Sequence, residues 1–220
     1  MLPRTKVIIA CIVMLAALIL VDQWRKNPSA ENTNVATQDS VSEQKAALEA
    51  TSEWKEFSPQ NNTFKVMLPA LPQHASEEVP FLPGKGLTKY DMYFSQEKDG
   101  TTYMISMIQY PNTYNTSKAD DILSSAMNEM LAGSANNKLV THQSGTFLNY
   151  PALDFAIQNN DITIRSKTFL IGKTLFVLTL SDRTSALIDD LFKKFTDSFQ
   201  LGDALKEDTK QELPVPAPTN

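Results

Sequence analysis

Two histidines, one cysteine and a spread of carboxylates are the residues of this 220-residue chain that could do chemistry, and their spacing restricts it. His142 and Ser144 stand two apart in "HQSG". A serine nucleophile needs a histidine within hydrogen-bond reach and an acid that orients the imidazole. Side chains two apart on a strand share a face but rarely meet, and no G-x-S-x-G elbow occurs. A hydrolase built on Ser144, His142 and a remote aspartate is therefore a minor reading, and no catalytic residue is assigned. His74 lies in the polar stretch "LPQHASEE" and reads as exposed. No H-x-x-x-H, H-E-x-x-H or D-x-D-x-D-G spacing is present, so no metal site and no cofactor are expected. Cys11 is the single cysteine and sits inside an apolar run, which excludes an internal disulfide or a thiolate cluster. Acidic "KADD" at 118–121 fits a helix start, where the dipole favours carboxylates. "PGKG" at 83–86 lacks phosphate-loop spacing and reads as a hairpin tip.

Binding offers more candidates than catalysis. In "YPALDFAI", Asp154 shares a strand face with Ala152 and Ala156, and two small neighbours leave room around its carboxylate. Arg165, on the next strand, is the expected partner across the hairpin. Tyr110 and Tyr114 lie in "QYPNTYNTSK", a connection between a strand and a helix, where aromatic side chains on a rigid scaffold often bind. The two tyrosines equally suit packing over the end of the sheet, and Asp154 with Arg165 equally suits a cross-strand ion pair on a solvated face; as a binding set, these four residues are the candidates.

The elements that must position them follow from periodicity. "TFKVMLP" alternates as a strand that ends at Pro69. "LTKYDMYFSQ" places Tyr90, Met92 and Phe94 on one face and Lys89 and Asp91 on the other. With "TTYMISMIQY" it forms a hairpin around "EKDG", with Gly100 at the turn. Ala119, Ile122, Leu123, Ala126, Met127, Met130 and Leu131 recur at helical spacing after Ser117, an expected N-cap, and Gly133 stops the helix. The two methionines read as core. "KLVTHQSGTF", "YPALDFAI", "DITIRSKTFLI" and "TLFVLTL" read as four more strands, with turn signals at "NN" before Asp161 and at Gly172 and Lys173. "TLFVLTL" is apolar on both parities, as in a strand covered on both faces, so the sheet centre is expected there. A last helix, capped by Thr184 or Ser185, buries Leu187, Ile188, Leu191, Phe192 and Phe195. The fold class is therefore α+β, a largely antiparallel sheet with two main helices packed on it.

Ahead of this domain, Val7 to Val21 is an unbroken apolar run with Trp24 just beyond it. As a helix it spans roughly 22 Å, short for a bilayer core and long for a signal-peptide core. No small-x-small cleavage site follows, and Cys11 comes too early for a lipobox. The expected reading is an N-terminal membrane helix with Trp24 at the interface. Arg4 and Lys6 precede the run, and Arg25 and Lys26 follow it beside Asp22; the balance favours an internal amino terminus. The expected location is the inner membrane, single-pass, with the body in the periplasm; secretion after cleavage is the alternative. Removing the +3 of residues 1–26 from the formal charge of −5 leaves −8 on the remainder, which disfavours nucleic acid as a partner. The expected organisation is 1–26 membrane segment, 27–52 solvated tether, 53–202 folded domain and 203–220 acidic, Pro-rich tail.

"FKVMLPALPQ", "GTFLNYPALDFAI", "RSKTFLIGKTLFVLTL" and "FTDSFQL" together resemble PsbP-like domains over most of 54–202. There an F-x-V-x-x-P opening leads the fold. In its second half a hairpin has a basic first arm and an apolar second arm, followed by a helix and a closing Ser-Phe-apolar strand. The resemblance implies a PsbP-like fold, which hosts photosystem subunits, Ran-binding proteins and DcrB-type envelope lipoproteins, mostly binding or assembly factors. Together with the anchor and tether, it leads to the expectation of a membrane-tethered, non-enzymatic binding or assembly module for an envelope protein. The alternative is a small-ligand or lipid carrier with its cavity between the methionine-bearing helix and the sheet.

Overall fold

The computed structural model describes residues 53–81, 86–183 and 187–205. The apolar run from Val7 to Val21 with Trp24, the tether at 27–52, the tip at 82–85 and the expected caps Thr184 and Ser185 lie outside the described residues. Among the described residues, no helix is long and apolar enough to cross a membrane.

Among the described residues the elements follow in the order β1 (Lys55–Phe57), β2 (Phe64–Leu68), β3 (Gln73–Pro80), β4 (Leu87–Gln96), β5 (Thr102–Gln109), α1 (Ala119–Ala132), β6 (Asn137–Phe147), β7 (Tyr150–Asn159), β8 (Ile162–Ile171), β9 (Thr174–Asp182), α2 (Ile188–Asp197) and β10 (Gln200–Leu201). Seven strands form one antiparallel sheet in the order β3-β4-β5-β9-β8-β7-β6, so "TLFVLTL", as β9, is its central strand. β1, β2 and β10 form a second, three-stranded sheet. The α+β class with a largely antiparallel sheet is therefore the observed architecture.

The large sheet is covered on both faces, which explains why β9 is apolar on both parities. On one face, Ile122, Leu123, Ala126, Met127 and Met130 of α1 pack against Leu153, Phe155, Ile157, Leu175 and Val177. The methionines are core, as expected. On the other face, Phe192 and Phe195 of α2 join the small sheet over Tyr103, Ile105, Phe169, Phe176 and Leu178. Phe199 stacks on Phe64 of β2 at 5.4 Å and meets Phe169 and Phe176 edge-on at 5.5 and 5.6 Å. These rings fasten the small sheet to the large one.

Turn chemistry fixes the hairpins where the sequence signals it. Gly100, Asn160 and Gly172 all have positive φ, at 99°, 53° and 54°. The β6–β7 turn is different, since Leu148 and Asn149 occupy positive φ at 52° and 69°. Asparagine tolerates that region, whereas leucine does so at a steric cost.

Three local expectations are corrected, and the face of β4 that Lys89 and Asp91 share, as expected, proves to be covered. α1 begins at Ala119, with Lys118 rather than Ser117 at the N-cap position and no side-chain cap. Ser117 instead donates its N–H to Asn115 Oδ1 in the preceding loop at 2.9 Å. The polar stretch after Pro72 is β3, an edge strand paired with β4 along its whole length. The face of β4 assigned to Lys89 and Asp91 also carries Tyr93, and it is covered by Phe57 and Phe64 of the small sheet. Leu205 is 9% exposed and packs in the core, so the folded domain runs past residue 202.

Gly202 locks the end of β10 against the residues that lead into β2. Its N–H donates to Thr63 O at 2.9 Å, and a Cβ there would meet Asn62 O at 1.8 Å. That neighbour is backbone and has little freedom to move. Gly202→Ala is expected to destabilise the domain by about 3 kcal/mol, the upper end for overpacking, in urea unfolding. An unchanged midpoint would remove this clamp from the account.

Candidate functional site

The expected binding residues fall in two separate places. Tyr110 and Tyr114 do not form an exposed pair. Tyr110 is 7% exposed and belongs to the core under α1. Tyr114 is half-buried, 4.7 Å from Tyr110 and 4.8 Å from Phe81 between ring centroids. Burial pushes the Tyr110 phenol above its usual range, with the neighbouring Tyr114, Tyr90 and Glu129 acting in the same direction. Lys173 binds this connection to the β8–β9 turn, donating from Nζ to Tyr114 O at 2.8 Å and accepting the Tyr110 N–H at 2.9 Å. The aromatics therefore hold the strand-to-helix passage in place.

Asp154 and Arg165 do share the α2 face of the sheet, but they are not partners. The β7–β8 register sets Asp154 opposite Lys167 and Arg165 opposite Ala156. Lys167 Nζ donates to Asp154 Oδ2 at 3.1 Å, and its ammonium lies 4.8 Å from the Phe147 ring centroid. Arg165 turns the other way, with Nε 3.1 Å from Asp189 Oδ1 at the start of α2 and its guanidinium 5.5 Å from the Phe192 ring. The Nε lies in ion-pair contact but its hydrogen is not aligned for a hydrogen bond to that carboxylate. Register decides the pairing here, and register depends on turn lengths that the residue types alone do not display.

The result is a row of charges on one face, with the cations Lys167 and Arg165 side by side between the carboxylates Asp154 and Asp189. The cations are the more enclosed members, with side chains 16% and 26% exposed against 40% and 80% for the carboxylates. Strands hold the two cations, and an aromatic ring backs each of them. Gln143 and Gly145 of β6 continue this face, opposite Asp154 and Ala152, and the space beside Gly145 is open. Such a surface can recognise charged and polar groups.

His142 and Ser144 stand opposite Phe155 and Leu153 on the other face of β6, and both are exposed. His74 is the residue whose setting the sequence hid. Its Nε2 lies 3.1 Å from Asp91 Oδ1, while its ring stacks on Tyr93 at 4.3 Å and 6°. Lys89 Nζ is 3.0 Å from the other carboxylate oxygen. Burial acts to raise the Asp91 pKa, but hydrogen bonds from Ser76, Lys89 and His74 outweigh it, and the carboxyl is held below its usual range. Burial beside this carboxylate pushes the Tyr93 phenol up to about 12. The sequence around His74 carries no apolar alternation that marks a strand, so only the β3–β4 register, which sets His74 beside Tyr93 and Ser76 beside Asp91, reveals the cluster. Among the described residues, no group of three or more His, Cys, Asp or Glu side chains is placed to hold a metal ion.

No family model and no curated protein matches the chain. Among solved structures, the chain is similar to cyanobacterial PsbP (CyanoP) from Synechocystis sp. PCC 6803. That match has 12% identity and a TM-score of 0.45, and covers 80% of this chain and 99% of that one. It is also similar to PA94 of Pseudomonas aeruginosa, a protein of unknown function, at 10% identity and a TM-score of 0.33, covering 76% of this chain and 99% of that one. These are likenesses of fold.

The Asp91 cluster has a pH signature. A carboxyl whose folded pKa is depressed stabilises above its unfolded value of about 3.9, and that contribution fades as pH falls through the lower folded value. Asp91→Asn is expected to lower stability at neutral pH, and its deficit should shrink below about pH 4. Urea midpoints measured across this range check it; a deficit independent of pH would sink the assignment.

Proposed function

We propose that the protein is a membrane-tethered, extracytoplasmic binding or assembly module that engages an envelope protein and has no enzymatic activity of its own. The apolar run 7–21 with its basic flanks, and the polar segment 27–52, support tethering. The observation that carries the binding reading is the row Asp154–Lys167–Arg165–Asp189. Two cations fixed over aromatic rings on adjacent strand positions are preorganised, so little side-chain freedom is lost when a partner docks. Arginine and aromatic residues are also the types that interfaces favour. A lipid carrier would require α1 to lift from a sheet face on which its buried side chains already pack.

The test uses the full-length chain in its native cells, with a photo-reactive residue at Lys193 on α2, one turn beyond Asp189. A control residue at exposed Asn128 reports the opposite face. A discrete adduct from position 193 that Lys167→Gln weakens supports the proposal. Equal labelling from both positions, or an adduct indifferent to Lys167→Gln, would overturn it. The intact mass of the same protein recovered from membranes separates anchor from cleaved signal: retention of residues 1–26 fits the tether, and a new amino terminus beyond Val21 replaces it with secretion.

A further inference from the structure

The two edges of the large sheet are built differently. β3 carries Glu77, Glu78 and Pro80 and the His74–Asp91 bond, all features that discourage a further strand from pairing. β6 has none of them along most of its length. Lys138 to Thr146 are all exposed, and no Asp, Glu, Lys or Arg occurs from Leu139 to Asn149. A bulge between Leu139 and Thr141 marks one end, and the tight turn after Phe147 marks the other. Between them runs a regular open edge of seven residues, Thr141 to Phe147. Three of the five exposed large hydrophobic side chains among the described residues, Leu139, Val140 and Leu148, flank it. Leu148 is 38% exposed, keeps a positive φ of 52° that costs a leucine energy, and among the described residues belongs to neither core.

We propose that β6 pairs with β6 of a second copy of this chain, antiparallel about a twofold axis at Ser144. The midpoint of the regular edge is Ser144, and rotation about it sets each residue against the one at equal distance on the other side. His142 then faces Thr146, Gln143 faces Gly145 and Thr141 faces Phe147. The open space beside Gly145 receives Gln143 of the second copy. The same rotation sets Val140 level with Leu148, so the apolar residues at the two ends cover each other. A twofold on a residue closes whichever alternate peptide groups point outward, because the row is antiparallel to its own image. No like charges meet anywhere along the row, although the chain as a whole is acidic, with a net charge of −5. A foreign peptide recognised along an edge relies on pockets for alternate side chains. β6 offers short polar side chains and a glycine there, which favours its own copy as occupant. The product is a continuous sheet of fourteen strands, twice the seven of one copy.

Cysteine cross-linking of the full-length chain in a Cys11→Ser background tests both contact and register. Ser144→Cys is expected to form a disulfide dimer under mild oxidation. His142→Cys alone should stay monomeric, and mixing it with Thr146→Cys should restore the link. Ser144→Lys, which sets two ammonium groups across the axis, should weaken self-association several-fold in light scattering while leaving the circular dichroism spectrum unchanged. A chain that stays monomeric at millimolar concentration, or His142→Cys that links to itself as readily as the mixture, would overturn the proposal. Neither outcome bears on the charged row of the α2 face, which the partner experiment tests separately.

Discussion

Phe199 is the point through which the layers of this domain are joined. It precedes β10, stacks on Phe64 of β2, and touches Phe169 and Phe176 of the central sheet and Phe147 at the end of β6. One side chain from the last folded turn thus contacts the first long strand, the sheet centre and the sheet edge. Aromatic pairs at these separations contribute beyond their burial, because their edges and faces carry opposite partial charge. A three-stranded sheet with strands of 3, 5 and 2 residues is too small to persist alone. It exists because those rings hold it against the large sheet, and its presence allows that sheet to be apolar on its second face.

That coverage explains which parts of the fold were legible. β9 announced its central place through unbroken apolarity, since only a strand buried on both sides reads that way. α1 was visible because Ile122, Leu123, Ala126, Met127 and Met130 repeat at helical spacing. β3 was not visible, because an edge strand exposed on both faces shows no apolar alternation, and its polar residues resemble a loop. Asp91 misled for the opposite reason. It is polar on a buried face, and the groups that satisfy it come from β3 and from its own strand.

The candidate sites divide along the same line. Asp154 was recognisable as a polar residue beside small ones and Arg165 as a cation on the next strand, and both lie on the α2 face of the sheet. Their partners were not recognisable, because the pairing of Asp154 with Lys167 depends on register, and that of Arg165 with Asp189 depends on how α2 crosses the sheet. Tyr110 stands in the connection between a strand and a helix, where aromatics either bind or pack. In the fold β5 ends at Gln109, and Tyr110, the next residue, lies in the core under α1. Nothing local separates an aromatic that packs from one that binds when the helix above it is contributed by the next segment.

A sheet covered on both faces leaves for recognition its edges, the margin of a face that the covering layers do not reach, and the outer surfaces of those layers. This domain closes one edge with carboxylates, a proline and a histidine–aspartate bond, and leaves the other long, regular and free of charge. Open edges of that kind carry a standing risk of uncontrolled pairing. A twofold contact removes the risk, since antiparallel self-pairing consumes both edges and presents none. The bulge at Val140 and the turn at Leu148 then act as stops that limit the paired stretch to seven residues and fix its register. The charged row lies on the face next to this edge, with Gln143 and Gly145 between them. Pairing about Ser144 would bring two such rows onto one continuous sheet, so a partner could engage both at once. Two weak contacts on a rigid platform act at high effective concentration, which lets a modest surface hold a partner that a single copy would release.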